Sequence, residues 1–296
     1  MGNPIFSLWR RLFRGMQLIL RASDWDRYAG EGWEKRIMLE PATDRLHSKQ
    51  GRSIGRRVFA NGNEQLSVYL KRHYRLPWWK AVLATFLPQR PWSPGLQEWQ
   101  HLIWAVGQGI PVPRPVAAGQ TVGPWFKLQS FLAVEELHGM VPLHEAVVLA
   151  AKQLEPTRFA QWKRGLITEL ARLTHELHCR KVFHKDLYLC HFYILETDTQ
   201  RLHQNWANRV VVIDLHRLAH HRLTALWWQA KDLAQLLYSS QVASVTNRDR
   251  IRFWKLYRSS LRAGSSSKWL LTLIRWKFRF YQRHEHRRRL GYSRKE

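Results

Sequence analysis

Acidic residues and cysteines are scarce in this chain of 296 residues. It has 22 Asp and Glu against 48 Lys and Arg, a formal net charge of +26, and an isoelectric point near 10.9. Cys179 and Cys190 are too few for a disulfide framework and suit a reducing compartment. The uncompensated positive charge favours an anionic partner. Nucleic acid, anionic lipid and a phosphorylated glycan are the candidate classes.

Long apolar runs are also missing. No stretch reaches the roughly 20 apolar residues of a spanning helix, and residues 5–14 lack the apolar region of a signal peptide. These residues predict a basic amphipathic surface helix instead. Residues 268–280 alternate apolar and basic side chains, and residues 283–295 are strongly basic. Such ends suit an anionic membrane surface, with a solvated charged tail as the alternative.

Tryptophan, in contrast, is abundant, with 16 residues. Trp78 and Trp79 follow Pro77 and precede Lys80, which predicts that both are exposed. Trp227 and Trp228 begin a helical segment and are predicted to pack in the core. Tryptophan is common where one end of the ring is apolar and the other is wet, as at membrane interfaces.

The most informative segment runs from His184 to Phe192. It begins His-Lys-Asp, and the position five residues after Asp186 is His191. A protein-kinase catalytic loop has His, a basic residue, Asp, four residues and then Asn. The segment therefore resembles such a loop with His in place of Asn. A simple turn with a capping aspartate is the alternative.

A second aspartate follows 22 residues after Phe192. Residues 210–213 are a β-branched apolar run that predicts a buried strand, and Asp214 ends it. An aspartate at this place can ligate Mg²⁺ that bridges the phosphates of ATP. Asp186 would accept the proton of the acceptor hydroxyl or orient that hydroxyl. His191 would contact metal or phosphate, or order the loop.

A lysine and a glutamate precede these motifs in the order found in kinases. Leu66, Val68 and Leu70 alternate along a strand that ends in Lys71, the place of a phosphate-clamping lysine. Glu98 is its candidate partner, in a helix that starts at Pro94–Gly95. An exposed strand lysine and a first-turn glutamate favoured by the helix dipole are the alternatives.

The apolar face of that helix is predicted to comprise Trp99, Leu102, Ile103 and Val106. Asn61–Gly62 predicts a hairpin before the lysine strand. Gly51–Gly55 is a weak candidate for a phosphate-covering turn, and a plain surface turn is favoured.

The fold class predicted from these elements is α+β, with a two-lobed protein-kinase-like architecture. Residues 1–34 are assigned to a basic amphipathic segment, 35–136 to a strand-rich N-lobe, 137–275 to a helical C-lobe, and 276–296 to a basic tail.

Two further segments are predicted to lie beside the nucleotide and the catalytic loop. Trp125–Glu136 predicts two strand segments, after which Glu135, Glu136 and Leu137 would offer backbone groups to adenine. Leucines spaced along one helical face then lead to the catalytic loop, at positions Leu166, Leu170, Leu173 and Leu177.

The chain resembles the lipopolysaccharide and Kdo sugar kinases, and among them the heptose kinases of the lipopolysaccharide core. The resemblance covers residues from about 50 to 260 and is most specific in Asp-x-Tyr-x-Cys-His-Phe and Asp-Leu-His-Arg. Other matching residues are Tyr69–His73, Gln97–Trp99, Glu135–Leu137, Lys231–Leu233 and Leu237–Ser240.

The resemblance implies ATP-dependent phosphorylation of a heptose hydroxyl, with ATP and Mg²⁺ as cofactors. It also implies that Asp232 hydrogen-bonds the backbone of the catalytic loop, with a surface pair to Lys231 as the alternative. The expected partners are a lipopolysaccharide core intermediate and the anionic surface of the inner membrane, which the protein would bind peripherally from the cytoplasm. Nucleic acid is an unlikely partner, and no obligate protein partner is evident.

Two other functions remain open at this stage. The acceptor of the same kinase chemistry would be Kdo, another glycan or a protein hydroxyl. A nonenzymatic basic protein that binds nucleic acid or membrane would explain the charge alone, but it does not require Lys71, Glu98, Asp186 and Asp214 in kinase order.

Overall fold

The computed structural model describes residue 9 and residues 11–40, 51–259 and 267–293, with side chains up to residue 283. The chain divides into two compact units. Unit 1 comprises Met1–Gln108 and Val112–His138, and unit 2 comprises Gly109–Pro111 and Gly139–Glu296. Half of the predicted N-terminal helix (residues 5–8 and 10) and the end of the predicted basic tail lie outside the described residues.

Unit 1 is built on a five-stranded antiparallel sheet with strand order β1-β4-β5-β3-β2. Its strands are β1 (Met16–Arg21), β2 (Arg52–Asn61), β3 (Glu64–His73), β4 (Pro115–Gly123) and β5 (Lys127–Glu135). Its helices are α1 (Trp25–Ala29), α2 (Trp33–Arg36), α3 (Trp78–Phe86) and α4 (Pro94–Gly107).

Two predictions for this unit are confirmed, and a third is wrong. Leu66, Val68 and Leu70 form the buried face of β3. Strands β2 and β3 form the predicted hairpin, in which Asn61 pairs with Glu64. Gly51 lies in a turn with φ of +74°, but β2 begins at the next residue, so the weak candidate for a phosphate-covering turn is mostly strand.

The segment assigned to residues 1–34 differs from the prediction from Met16 onward. Strand β1 pairs with β4, and Trp25 and Trp33 are buried with ring centroids 5.5 Å apart. Burial of two indoles contributes several kcal/mol, which explains why these residues belong to the core of the sheet.

Helix α4 lies against the sheet by a different face from the one predicted. Leu96, Trp99, Leu102 and Ala105 are buried, whereas Ile103 and Val106 are exposed. Gly95 makes the close approach possible, since a Cβ there would lie 2.4 Å from the carbonyl oxygen of Phe131. Glu98 lies on this buried face.

A second correction concerns residues 124–126, which form a 3₁₀ turn before a single strand, so Trp125–Glu136 is not two strands.

Unit 2 is mainly helical. Its helices are α5 (Leu143–Gln153), α6 (Pro156–Cys179), α7 (Ala225–Ser239), α8 (Asn247–Ser259) and α9 (Ser267–Ser293). Short strands β6 (Met140–Pro142), β8 (Phe192–Leu195) and β9 (Val211–Val212) form one sheet, and β7 (Val182–Phe183) pairs with β10 (Ala219–His220).

The leucine stripe predicted on α6 is buried as expected. Trp227 is a correction, because its side chain is exposed and the ammonium of Lys277 lies 3.2 Å from its ring centroid. Helix α9 passes through residues 275 and 276 without a break, so the predicted start of the tail is not a structural boundary. Among the described residues, no helix has the length and apolarity needed to span a bilayer.

Candidate active site

Lys71 and Glu98 form an ion pair within unit 1. The Lys71 Nζ lies 2.7 Å from Oε1 of Glu98, and the two side chains are 15% and 6% exposed. Strand β3 provides the lysine and the buried face of α4 provides the glutamate. Because little water reaches the pair, the carboxylate fixes the direction of the ammonium. This is the arrangement that kinase chemistry requires of a phosphate-clamping lysine.

Glu136 and Leu137 follow β5 and differ in what they can offer a ligand. The Glu136 amide donates to the carbonyl of Ser67 at 2.9 Å, and the Glu136 carboxylate accepts from Nε of Arg56 at 2.8 Å. The backbone N–H of Glu136 is therefore occupied. The Leu137 amide has no hydrogen bond among the described residues, which makes it the better candidate for a contact to a base.

The segment predicted as the catalytic loop connects β7 to β8 in unit 2. Asp232 of α7 is fully buried, and its carboxylate accepts from the backbone amides of His184 and Lys185, both at 2.8 Å. Lys185 has a φ of +67°, which costs a non-glycine residue free energy. The two charge-assisted bonds offset that cost and fix the backbone immediately before Asp186.

Helix α7 holds the rest of the loop in the same way. The side-chain oxygen of Gln235 accepts from the Leu187 amide at 3.1 Å, and the hydroxyl of Ser239 accepts from the Leu189 amide at 2.8 Å. These side chains follow Asp232 at helical spacing, so one face of α7 meets alternate amides of the loop. The helix thus determines the path of the loop backbone.

A buried chain of polar groups fixes Asp232 itself. A carboxylate only accepts hydrogen bonds, so Nε2 of His178 donates to Asp232 at 3.3 Å. Nδ1 of His178 then accepts from the hydroxyl of Tyr257 at 2.8 Å, and that oxygen accepts from Gln229 at 2.6 Å. Burial raises the pKa of Tyr257 far above its usual value, so the phenol remains a donor.

His184 joins the catalytic loop to the segment that carries Asp214. Its Nε2 donates to the carbonyl of Ile213 at 3.0 Å, and the Ile213 amide donates to the carbonyl of His191 at 2.9 Å. His184 is completely buried, and burial lowers the pKa of its imidazole. The neutral ring therefore ties together the two loops that end in the predicted catalytic and metal-binding aspartates.

Asp214 and His191 are the predicted metal ligands, and they lie close together. Nδ1 of His191 donates to the backbone carbonyl of Asp186 at 2.7 Å, so the lone pair of the neutral ring is on Nε2. That nitrogen lies 4.0 Å from Oδ2 of Asp214. Asp214 is in the left-handed region with φ of +63°, and its Oδ1 lies 2.7 Å from Nδ1 of His216.

This donor set fits a cation that keeps most of its water. No group of three or more His, Cys, Asp or Glu able to hold a metal occurs in the described part of the chain. Mg²⁺ is usually bound by one or two carboxylates with water and substrate phosphates as the other ligands. The pKa of His191 is raised: burial opposes this, and Cys190, the Asp186 carbonyl and Asp214 outweigh it. Asp214 is therefore the principal protein ligand that the site offers.

Asp186 is surrounded by positive charge. The NH1 group of Arg217 lies 2.9 Å from Oδ2 and 3.2 Å from Oδ1 of the carboxylate. Nζ of Lys231 lies 3.8 Å from Oδ1, and the Gln235 amide lies 3.4 Å from the same oxygen. Four residues around these aspartates were not among the predicted site residues: Arg217, Lys231, Gln235 and Ser239. The one sequence signal that could have identified Gln235 and Ser239 is their helical spacing from Asp232.

Comparisons with known proteins agree with this geometry. The family model described as "Lipopolysaccharide kinase (Kdo/WaaP) family" matches residues 42–257. The lipopolysaccharide core heptose(I) kinase WaaP of Pseudomonas aeruginosa is 30% identical over 226 residues, which are 76% of this chain and 82% of that protein. The enzyme of the same name from Escherichia coli (strain K12) is 32% identical over 133 residues, 40% of this chain and 49% of that protein.

A solved structure supports the fold. The structure titled "WaaP in complex with acyl carrier protein" has a TM-score of 0.65 and 24% identity, and the match covers 88% of this chain and 98% of that one. The predicted α+β, kinase-like fold class is thereby confirmed. The names of the family and its relatives identify a phosphotransferase, and kinase chemistry implies ATP as the donor. The chain belongs to the lipopolysaccharide kinase (Kdo/WaaP) family.

Proposed function

We propose that this chain phosphorylates a heptose hydroxyl of the lipopolysaccharide core. The observation that carries the proposal is the arrangement in unit 2, where α7, His184 and His191 hold Asp186 and Asp214 in fixed loops. The heptose acceptor is suggested by the names of the relatives from Pseudomonas aeruginosa and Escherichia coli.

In the proposed reaction the acceptor hydroxyl oxygen attacks the γ-phosphorus of ATP. The bond from that phosphorus to the β–γ bridging oxygen breaks, and ADP leaves. Asp186 orients the hydroxyl and accepts its proton as the new bond forms. Lys71, directed by Glu98, contacts the phosphates. Asp214, with His191, would hold Mg²⁺, which neutralises charge on the phosphates.

The direct test uses purified protein, ATP and a core glycolipid whose heptose lacks phosphate. We expect transfer of one phosphate to the heptose, detected by mass spectrometry of the released glycan. The matched control is a glycolipid that ends at Kdo, its acidic sugar, and therefore lacks heptose. Phosphorylation of that control at an equal rate would assign the acceptor to Kdo instead.

We also propose that the protein binds peripherally to the cytoplasmic face of the inner membrane. In unit 1, Trp9 stacks on Phe13 with ring centroids 5.5 Å apart, and Phe13 meets Trp125 edge-on at 5.6 Å. All three are exposed, as are Trp78 and Trp79 of α3. Exposed indoles and a net charge of +26 suit an anionic interface.

A protein partner is a further part of this proposal. The structurally similar WaaP was solved in complex with acyl carrier protein, and the net charge of +26 on this chain would favour a protein partner of opposite charge. We expect purified acyl carrier protein to co-elute with this chain at low salt. If the two proteins elute in the mixture as they do separately, the proposed partner is contradicted and the expectation of no obligate protein partner stands.

A further inference from the structure

The carboxylate of Asp186 is already occupied in a way that general-base chemistry does not favour. NH1 of Arg217 lies within 3.2 Å of both carboxylate oxygens, and Lys231 and Gln235 approach Oδ1. An arginine bound to a carboxylate occupies lone pairs that an acceptor hydroxyl would otherwise use. An acceptor hydroxyl therefore has to replace Arg217 at this carboxylate.

Arg217 is able to leave this position. Its side chain is 47% exposed, whereas that of Asp186 is 18% exposed. An ion pair with an exposed arginine is worth little in free energy. The only side-chain hydrogen bonds of Arg217 in the described structure are the two to Asp186. A better anion nearby would therefore attract the guanidinium away.

Two further cations lie beside this pair. The ammonium groups of Lys185 and Lys231 lie 4.8 and 5.5 Å from the centroid of the same ring, that of Trp228. The pKa values of both lysines are lowered, first by burial and then by the charge of Arg217 among others. Three cations thus crowd around one accessible carboxylate.

The nearby carboxylate of Asp232 acts on Lys185 and Lys231 and balances part of that charge. It is fully buried, and its oxygens accept from two backbone amides and from His178. Three cations against the two carboxylates of Asp186 and Asp232 leave one positive charge uncompensated beside the acceptor position. An excess of this kind is the usual signature of a site for carboxylate or phosphate.

We propose that Lys185, Arg217 and Lys231 form an anion subsite for a carboxylate or phosphate on the sugar next to the acceptor heptose. Arg217 moves from Asp186 to that anion when the acceptor binds, and the movement frees Asp186 for the hydroxyl. The inference rests on the proposed heptose kinase function. It makes the charge of the neighbouring sugar a condition for catalysis.

The test compares acceptors that differ only in charge. The probes are a disaccharide of heptose linked to a carboxylate-bearing sugar, the methyl ester of the same disaccharide, and an analogue with phosphate in place of the carboxylate. One charge-assisted contact predicts that kcat/KM for the free acid exceeds that for the ester by about 10- to 100-fold. The phosphate analogue shows which of the two anions the subsite prefers.

Three variants locate the preference in the subsite. Arg217→Ala is expected to abolish the ratio of acid to ester, because kcat/KM for the acid falls to that for the ester. Arg217→Lys keeps the charge and should retain part of the ratio. Arg158→Ala removes an exposed arginine on α6 and should leave the ratio unchanged. A ratio that survives in Arg217→Ala would overturn the proposal.

Binding measured without turnover separates this inference from the proposed function. Calorimetric titration of the three disaccharides, with a non-hydrolysable ATP analogue present, should show tighter binding of the acid than of the ester by the wild type and not by Arg217→Ala. Preferential binding without phosphorylation would contradict the heptose kinase function and leave the subsite standing. Equal binding of acid and ester by the wild type would refute the subsite, even if both are phosphorylated.

Discussion

Nδ1 of His191 lies 2.7 Å from the backbone carbonyl oxygen of Asp186, five residues earlier in the chain. Because a carbonyl only accepts, this bond places the proton of the neutral ring on Nδ1. Nε2 is then the nitrogen that faces Asp214, at 4.0 Å. One hydrogen bond therefore shapes the loop and directs a potential ligand to the predicted metal position.

His191→Asn and His191→Ala should differ in their dependence on Mg²⁺. Asparagine keeps an oxygen ligand of the kind Mg²⁺ prefers, so we expect activity within about tenfold of the wild type. Alanine removes both the ligand and the bond to Asp186, and the Mg²⁺ concentration for half-maximal activity should rise by about 10- to 100-fold. Titration of activity with Mg²⁺ measures this, and identical titration curves for both variants would remove His191 from the metal site.

Asp186→Asn and Asp214→Asn are each expected to lower kcat by about 10²- to 10⁴-fold. The first removes the group that accepts the hydroxyl proton, and the second removes a negative charge from the predicted metal position. Both side chains are partly exposed, at 18% and 32%, so the melting temperature should change little. Near-normal turnover by either folded variant would contradict its assigned role.

Lys71→Met should weaken catalysis strongly, because it removes the ammonium that Glu98 directs. It also leaves a buried carboxylate without its partner, so the melting temperature should fall as well. Lys127→Met, at the exposed first position of β5, is the matched control and should behave like the wild type. ATP binding by calorimetry, measured beside turnover, distinguishes loss of the nucleotide contact from general loss of structure.

Stability should decline as the pH falls below about 6.5, the ordinary pKa of histidine. The pKa of the buried His184 is lowered in the folded protein, so below that pH the unfolded chain takes up a proton that the folded chain does not. The free energy of unfolding then falls by up to about 1.4 kcal/mol for each pH unit from this residue. In His184→Gln, whose amide can still donate to Ile213, the decline should be shallower.

Thermal unfolding at pH 5 and pH 7 measures that difference. His220→Gln alters an exposed histidine and provides the control, with a decline equal to that of the wild type. Parallel declines in the wild type and in His184→Gln would show that His184 is not the source.

Binding to anionic vesicles should depend on both salt and exposed tryptophan. Trp78 and Trp79 are 74% and 48% exposed, and replacement of both by serine should weaken binding by roughly tenfold or more. Higher salt should weaken it further through screening. Leu223→Ser removes an exposed apolar side chain from unit 2 and serves as the control. Equal binding to neutral and anionic vesicles would argue against an electrostatic contribution.

The sequence was sufficient for features that depend on local periodicity and failed where packing decides. Alternation identified the buried face of β3, and Gly95 with Pro94 marked the start of α4. The same pattern misplaced Ile103 and Val106, because the face that α4 buries depends on how Gly95 approaches β5. Trp227 was misplaced because a contact with Lys277, fifty residues away, keeps it near the surface.

The same distinction between local sequence patterns and packing applies to the site residues. Asp186 and Asp214 lie in linear motifs, so the sequence alone was enough to predict them as site residues. The ion pair of Arg217 with Asp186 joins residues 31 positions apart and has no periodic signal. Gln235 follows Asp232 by three positions, but its bond to the Leu187 amide depends on where the loop lies. Side chains that hold backbone groups have few restrictions on their type, so sequence alone identifies them poorly.

Because α7 holds the catalytic loop, hydrogen–deuterium exchange of the loop amides should depend on the opening of that helix. The amides of His184, Lys185, Leu187 and Leu189 all donate to α7 side chains. Their protons should exchange with deuterated water as one cooperative group, at the rate at which the helix itself opens. Because these bonds come from backbone amides, loop side chains that hold no other group, unlike those of His184 and His191, can change without displacing Asp186. Substitutions at such positions would then change the acceptor specificity of the enzyme before they reduce its catalytic activity.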